Sequence, residues 1–176
     1  MIDERVVFMA ITQGKLTQIT LSDLPLLSGW TLKIARRRHN IYAACSRGLG
    51  RRGSVEFIYL HRLLTLAPEG VQIDHINGDG LDNRRVNLRH ATQSQNNANQ
   101  RKKVPGTSKY KGVSLHVDHR YDSRRWKTQL TVKGHHYCTY HDTEEEAALA
   151  YNEIAEKAFG EYARLNDVVM PAEAAR

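Results

Sequence analysis

The chain changes between a two-residue apolar rhythm and a helical one, and each change marks a part of it. Residues 1–26 alternate loosely, at Val6 and Phe8 and again at Leu16, Ile19 and Leu21, which predicts short strands or irregular structure before Pro25. Trp30-x-Leu32-x-Ile34 predicts a half-buried strand, residues 36–40 a turn or strand end, and residues 41–44 the segment that follows. Residues 47–53, with three glycines and three arginines, predict a flexible basic loop between strands. The apolar and aromatic run from Val55 to Leu66 predicts a strand to about Ile58, then a short helix ending before Pro68.

A different texture begins at residue 70. Residues 70–76 predict a short strand, closed by the turn Asn77-Gly78-Asp79-Gly80. The polar stretch Asp82-Asn83-Arg84-Arg85 leads to a second short strand over residues 86–89, which carries Asn87. Thr92 is a helix N-cap for a short polar helix over residues 93–100. Beyond residue 107, strands are predicted over 111–117, 126–132 and 137–140, with Lys133-Gly134 as one turn. Thr143-Glu144-Glu145-Glu146 opens a helix with a capping box, and Ala147, Ala150, Tyr151, Ile154, Ala158 and Phe159 form its apolar face up to Gly160.

These elements predict an α+β protein. An N-terminal antiparallel, basic sheet region spans 1–54, and a strand–loop–strand–helix unit spans 55–100. A linker over 101–107 leads to a three-stranded sheet plus helix over 108–166, followed by a tail over 167–176.

The charge is unevenly spread over these parts. The net charge is +7, from 26 Lys+Arg against 19 Asp+Glu. Residues 27–64 hold eight basic residues against Glu56 alone, and residues 108–141 hold seven against Asp118 and Asp122. Residues 142–176 reverse the sign, nine acidic to three basic. Two positive segments point to a polyanion partner. Arg36, Arg37, Arg38, Arg51 and Arg52 are expected to touch phosphates, which fixes position rather than sequence. Cys45 and Cys138 form no paired metal motif, the N-terminus lacks signal-peptide character, and no apolar run is long enough to span a bilayer, so a soluble, cytoplasmic protein without a membrane partner is expected.

The candidate chemistry centres on Asp74-His75. Cleaving a phosphodiester needs a base for the attacking water, a cation against the phosphate charge, and fixed geometry. Adjacent residues on a regular strand point to opposite faces, so the pair serves one site only if the Asn-Gly turn bends the chain. A hard cation takes oxygen ligands, which Asp74 and an amide from Asn96 or Asn97 can supply. His75 can then act as general base, with Asn87 in a position to bond the imidazole. The bland reading is an Asx turn beside a surface histidine.

Residues 55–100 resemble the HNH nucleases of the ββα-metal class, particularly phage and intron homing endonucleases. The resemblance is carried by His61-Arg62-Leu63, by Ile73 to Asp79, by Asp82-Asn83-Arg84, by Val86-Asn87-Leu88-Arg89 and by Ser94-Gln95-Asn96-Asn97. It implies that Asp74 and Asn96 are metal ligands, that His75 is the general base, and that Asn87 is the orienting Asn. Where many HNH proteins carry His at the last metal-side position this chain has Asn, which suits Mg²⁺ or Mn²⁺ better than zinc. His61 is either a packed histidine at a helix start or a supporting catalytic residue. Arg84, Arg85 and Arg89 lie beside the motif and can hold the scissile strand.

Residues 108–166 resemble the AP2, ethylene-response-factor-like, DNA-binding domain. The matching residues are Tyr110-Lys111-Gly112-Val113, Arg125-Trp126, Tyr137, Asp142 to Ala148, Ala150-Tyr151, Ala155, Gly160 and Leu165-Asn166, while Cys138 stands where plant domains commonly have Gly. The resemblance implies a sheet that enters the major groove, backed by the helix. Lys111, Arg124, Arg125, Trp126, Lys127 and Lys133 are the expected DNA contacts, with His116 and Gln129 behind them. A core role for Trp126 and a solvated Arg125 are the alternatives. Together these readings predict a sequence-specific, metal-dependent endonuclease on double-stranded DNA with an extended target, monomeric and nicking one strand. The competing expectations are a non-catalytic DNA-binding regulator and an RNA-directed protein.

Overall fold

The computed structural model describes residues 4–37, 40–50, 53–102, 106–118 and 123–169. Arg38, Arg51 and Arg52 lie outside the described residues, as does the tail from residue 170. The chain forms two compact units, Met1–Asn96 and Asn97–Arg176.

The first unit holds β1 (Val6–Ala10), β2 (Leu16–Thr20), β3 (Thr31–Arg37), β4 (Asn40–Gly48), β5 (Val55–Tyr59), α1 (Leu60–Thr65), β6 (Gln72–His75), β7 (Asp82–Asn83) and β8 (Leu88–Ala91). The helix α2 (Gln93–Asn99) starts in it. β1 and β2 form an antiparallel hairpin, to which β7 adds in parallel beside β2. β3, β4 and β5 form an antiparallel meander. The expected N-terminal sheet is thus two sheets. Ala43, Ala44, Cys45 and Ser46 on β4 are all buried, so this central strand is covered on both faces and carries small side chains where the packing is closest.

The core of this unit joins Ile19, Leu27, Ala43, Cys45, Leu60 and Leu64. α1 contributes Leu60 and Leu64, one turn apart on the same face. Leu66 ends the helix in the left-handed conformation (φ 50°). Arg62 faces the other way and donates to the carbonyls of Ala67, Pro68 and Val71, which staples the loop between α1 and β6. Burial drives the Cys45 thiol up to about 11, so it is a packing residue rather than a nucleophile.

Three local features depart from the sequence reading. The segment Arg85–Asn87 is a 3-10 turn, and the strand begins at Leu88, so Asn87 stands before it rather than on it. Asp82–Asn83, expected as loop, is a strand pairing with β2 sixty residues earlier, a contact no local pattern predicts. β6 stays regular through His75, which pairs with Leu88 as Asp74 pairs with Arg89.

The second unit holds β9 (Val113–Asp118), β10 (Ser123–Val132), β11 (His135–His141) and α3 (Glu144–Phe159). The three strands form an antiparallel sheet in the order β11-β10-β9. Thr143 caps α3 through Glu146 N–H, and the Glu146 carboxylate returns to Thr143 N–H, the reciprocal box the sequence predicts. Tyr110, Val113, Ala147 and Ala148 form the core, with Trp126 against it. Thr128 donates to the Ala147 carbonyl (2.6 Å), and Gly112 passes so near Tyr151 that a Cβ would lie 2.1 Å from its ring. Asn166 ties down the C-terminal segment: its amide bonds both N–H and C=O of Lys111, and its backbone exchanges two bonds with Asn152.

Candidate functional site

His75 ends β6 and is 5% exposed. Its Nε2 lies 3.2 Å from Oδ1 of Asn83, and its ring meets His61 edge to face at 5.0 Å between centroids, with Tyr42 at 6.0 Å. Burial lowers its pKa, partly offset by the Asn83 hydrogen bond and by the charges of Asp74, Asp79 and Asp82. A ring kept neutral by burial, with carboxylate charges that favour its protonated form, is suited to accept a proton.

His61 sits at the start of α1, as the sequence predicts, stacked on Tyr59 (centroids 5.5 Å). Burial first, then the charges of His75 and Arg62, lower its pKa to about 3. Its Nδ1 is buried without a hydrogen-bond partner among the described residues. The geometry makes it a neutral wall for the His75 imidazole.

Asp74 projects from the opposite side of the strand. The strand stays regular through His75, so the expected bend that would turn both side chains to one face does not occur within β6. Arg89, directly across on β8, donates to its Oδ2 from Nε and Nη2 at 3.0 Å, and Arg89 is itself only 11% exposed at its side chain. Two residues back on the same face, Gln72 donates to Gln93 (2.6 Å) and accepts from Asn96 Nδ2 (3.0 Å). Thr92 and Gln95 form a second reciprocal cap at the helix start, and the Gln72 bonds tie α2 to β6. The Asn96 nitrogen donates to Gln72, and its oxygen is the atom able to act as a ligand. A carboxylate oxygen and an amide oxygen are both hard donors. No group of three or more His, Cys, Asp or Glu able to hold a metal occurs among the described residues.

Asn87 does not bond the imidazole. Its Oδ1 accepts from Asn77 N–H (3.0 Å), while its Nδ2 donates to the Asp82 carbonyl (2.7 Å) and to Asn77 Oδ1 (3.1 Å). It therefore clamps both ends of the loop that follows His75, and the direct bond to the ring comes from Asn83. The physical reason is its placement in the 3-10 turn, which points the amide into the loop. Asp79 accepts from Leu81 N–H as a turn residue, and Asp82 accepts from Asn77 and from Arg84, whose guanidinium holds its carboxyl below the usual carboxylate range.

The arginines beside the motif are engaged within the unit: Arg84 with Asp82, Arg85 with Asp23 and Arg89 with Asp74. Arg84 and Arg85 keep a third or more of their side chains exposed, whereas Arg89 does not. Arg36 and Arg37 are exposed on β3. Gln72, Asn83, Thr17 and Gly80 belong to the site and escape residue-type reasoning. A Cβ on Gly80 would lie 2.3 Å from the Ile41 carbonyl oxygen, so only glycine lets the loop cross β4 beside Tyr42. The one available signal was the glycine-rich turn itself.

In the second unit, strand alternation sorts the expected DNA contacts. Thr128 faces α3, which puts Arg124 and Trp126 on the helix side and Arg125, Lys127 and Gln129 on the other. His116 and Tyr140 flank that open face and touch each other (5.2 Å). Trp126 is thus a core residue, and Lys133 is exposed in the β10–β11 turn. Arg125 pairs with Asp142 at 2.9 Å across an exposed edge. Lys111 is off the face altogether: its Nζ donates to the Ala98 carbonyl, and burial, then Arg164, lower its pKa to about 8. It lines a pocket of about 460 Å³ with Arg101, Lys102, Lys109 and Arg164.

Residues 66–98 match the family model described as HNH endonuclease, which covers β6 to α2. An uncharacterized HNH endonuclease of Acanthamoeba polyphaga mimivirus is 31% identical over 169 residues, covering 95% of this chain and 84% of that protein. The chain belongs to the HNH endonuclease family. Proteins of this family generally act on DNA with a divalent metal. No solved structure matches the chain. Among the described residues, no helix is long and apolar enough to cross a membrane.

Proposed function

We propose that this chain is a sequence-specific, metal-dependent endonuclease of homing type that nicks double-stranded DNA as a monomer. The observation that carries the reading is a buried His75, its pKa lowered by burial, next in sequence to Asp74 in a strand–loop–strand–helix segment matched to the HNH family. His75 takes the proton of the attacking water. Asp74 and Asn96 would hold Mg²⁺ or Mn²⁺, which supplies charge neutralisation at the phosphate and the leaving oxygen. Asn87 holds the loop that ends at Asp82, and His61 excludes water from the back of the imidazole. A single ββα-metal centre per chain would cut one strand in each encounter.

In the second unit, the AP2-like resemblance is supported by a three-stranded sheet backed by one helix. We assign groove contact to the open face, through Arg125, Lys127 and Gln129, with His116 beside them. Lys133 and the pocket around Lys111 supply phosphate contacts, as Arg36 and Arg37 do in the first unit. Incubating the protein with supercoiled DNA and Mg²⁺ tests the enzyme reading. Metal-dependent nicking that is lost in EDTA and in His75→Ala is expected. Specific binding without any nick would instead favour a regulator that keeps the HNH fold, a reading to which the Asp74–Arg89 ion pair lends support because it occupies the metal-side carboxylate.

A further inference from the structure

His75 is held from the N-terminal hairpin by a chain of side chains in which every donor is fixed. The Thr17 hydroxyl donates to the Leu81 carbonyl at 2.7 Å. A carbonyl only accepts, so the single hydroxyl proton lies on that bond. Thr17 Oγ1 is therefore an acceptor toward its other neighbour, Asn83, whose Nδ2 donates to it at 2.9 Å. The Gly80 carbonyl lies on the same side of the amide, 3.4 Å from that nitrogen. Two acceptors on one side of Asn83 leave its oxygen on the other, where it meets His75 Nε2 at 3.2 Å. An amide oxygen cannot donate, so Nε2 must carry the hydrogen. Thr17 and Asn83 are both fully buried, and the parallel pairing of β7 with β2 sets the distance between them.

We propose that Asn83 and Thr17 are positioning residues that fix His75 as the Nε2–H tautomer, making Nδ1 the atom that takes the proton of the attacking water. The proposal rests on the reading of His75 as general base. In that step the water proton passes to Nδ1 and the water oxygen forms the new bond to phosphorus. The bond to the leaving oxygen breaks with its electron pair on that oxygen, which solvent water protonates. The imidazolium so formed keeps its Nε2–H on Asn83, so no hydrogen bond in the chain has to turn over as charge develops. The opposite tautomer requires the amide to flip, which sets its oxygen against both Thr17 Oγ1 and the Gly80 carbonyl.

Two-bond ¹H–¹⁵N correlation on the full ¹⁵N-labelled chain tests this without DNA or metal, at about pH 8, above the ordinary imidazole range. The His75 ring signals are assigned by their absence in His75→Gln. A protonated-type Nε2 and a bare-type Nδ1 are expected; a protonated Nδ1, or averaging between the two forms, would overturn the proposal. Asn83→Leu should let the ring average and slow nicking roughly 10- to 100-fold at unchanged KM for DNA. Asn83→Asp keeps an oxygen toward Nε2 and should keep the tautomer, while its second oxygen, set against Thr17 Oγ1 and the Gly80 carbonyl, should lower the stability of the fold. If Asn83→Leu fails to fold, the wild-type and Asn83→Asp spectra still decide the matter. If instead His75→Gln nicks as fast as wild type, the general-base reading fails whatever the spectra show.

Discussion

His61 and His75 stand edge to face in the interior, and two imidazoles so close cannot both charge without water to screen them. The consequence for stability is clearest at His61, whose pKa is about 3 in the folded protein against about 6.5 unfolded. Above pH 6.5 both states are neutral there and the group has no effect. As pH falls below 6.5 the unfolded chain takes up the proton first, so stability drops by up to about 1.4 kcal/mol per pH unit until the folded pKa is reached. Denaturant melts between pH 7 and 4 should show this slope, and His61→Phe should flatten it. A variant with the wild-type slope would show that other groups carry the acid sensitivity.

At the scale of elements, close approaches decide more than propensities do. Gly80 lies against the backbone of β4, where a Cβ would overlap the Ile41 carbonyl. Gly80→Ala must push the loop off the strand, at a cost of about 1–3 kcal/mol, and should lower nicking more than DNA binding because the same loop carries Asn77 and Asp79 and leads into Asn83 on β7. Urea melts and nicking assays on one preparation separate the two effects. The cap of α3 is a milder case: Thr143→Ala removes the bond to Glu146 N–H and should cost about 1 kcal/mol, read as a shift in urea midpoint with an unchanged slope. The cap was legible in four letters of sequence, because a capping box is local. The β2–β7 pairing was not, since it joins residues more than sixty positions apart across a two-residue strand.

For the whole molecule, the positive charge is concentrated in two segments and the acidic charge on α3 and the chain beyond it. DNA affinity should therefore fall linearly with salt on a log–log plot. Lys133→Ala, a phosphate contact in this reading, should reduce the magnitude of that slope by about one and weaken all sequences alike. Arg125→Ala should relax sequence preference with little change in slope, since its place on the open face suits base readout. Fluorescence anisotropy across a salt series distinguishes them, and equal slopes for wild type and Lys133→Ala would remove Lys133 from the phosphate contacts.

The sequence by itself determined the α+β class, most of the strands, the three α-helices among the described residues, and the segment that carries the nuclease motif. These follow from short-range rules: apolar rhythm, turn residues, caps, and the adjacency of Asp74 and His75. Tertiary structure alone decided which amide touches the imidazole. Asn83 and Asn87 are equivalent by residue type, and only the pairing of β7 with β2 brings Asn83 to His75 while the 3-10 turn aims Asn87 into the loop. It likewise decided that Trp126 packs and Arg125 is open, because the face that α3 covers is set by where the helix lands. Residue chemistry is written along the chain, but the partner of each polar atom depends on segments far away, and a hydrogen bond is specific only once both ends are in place.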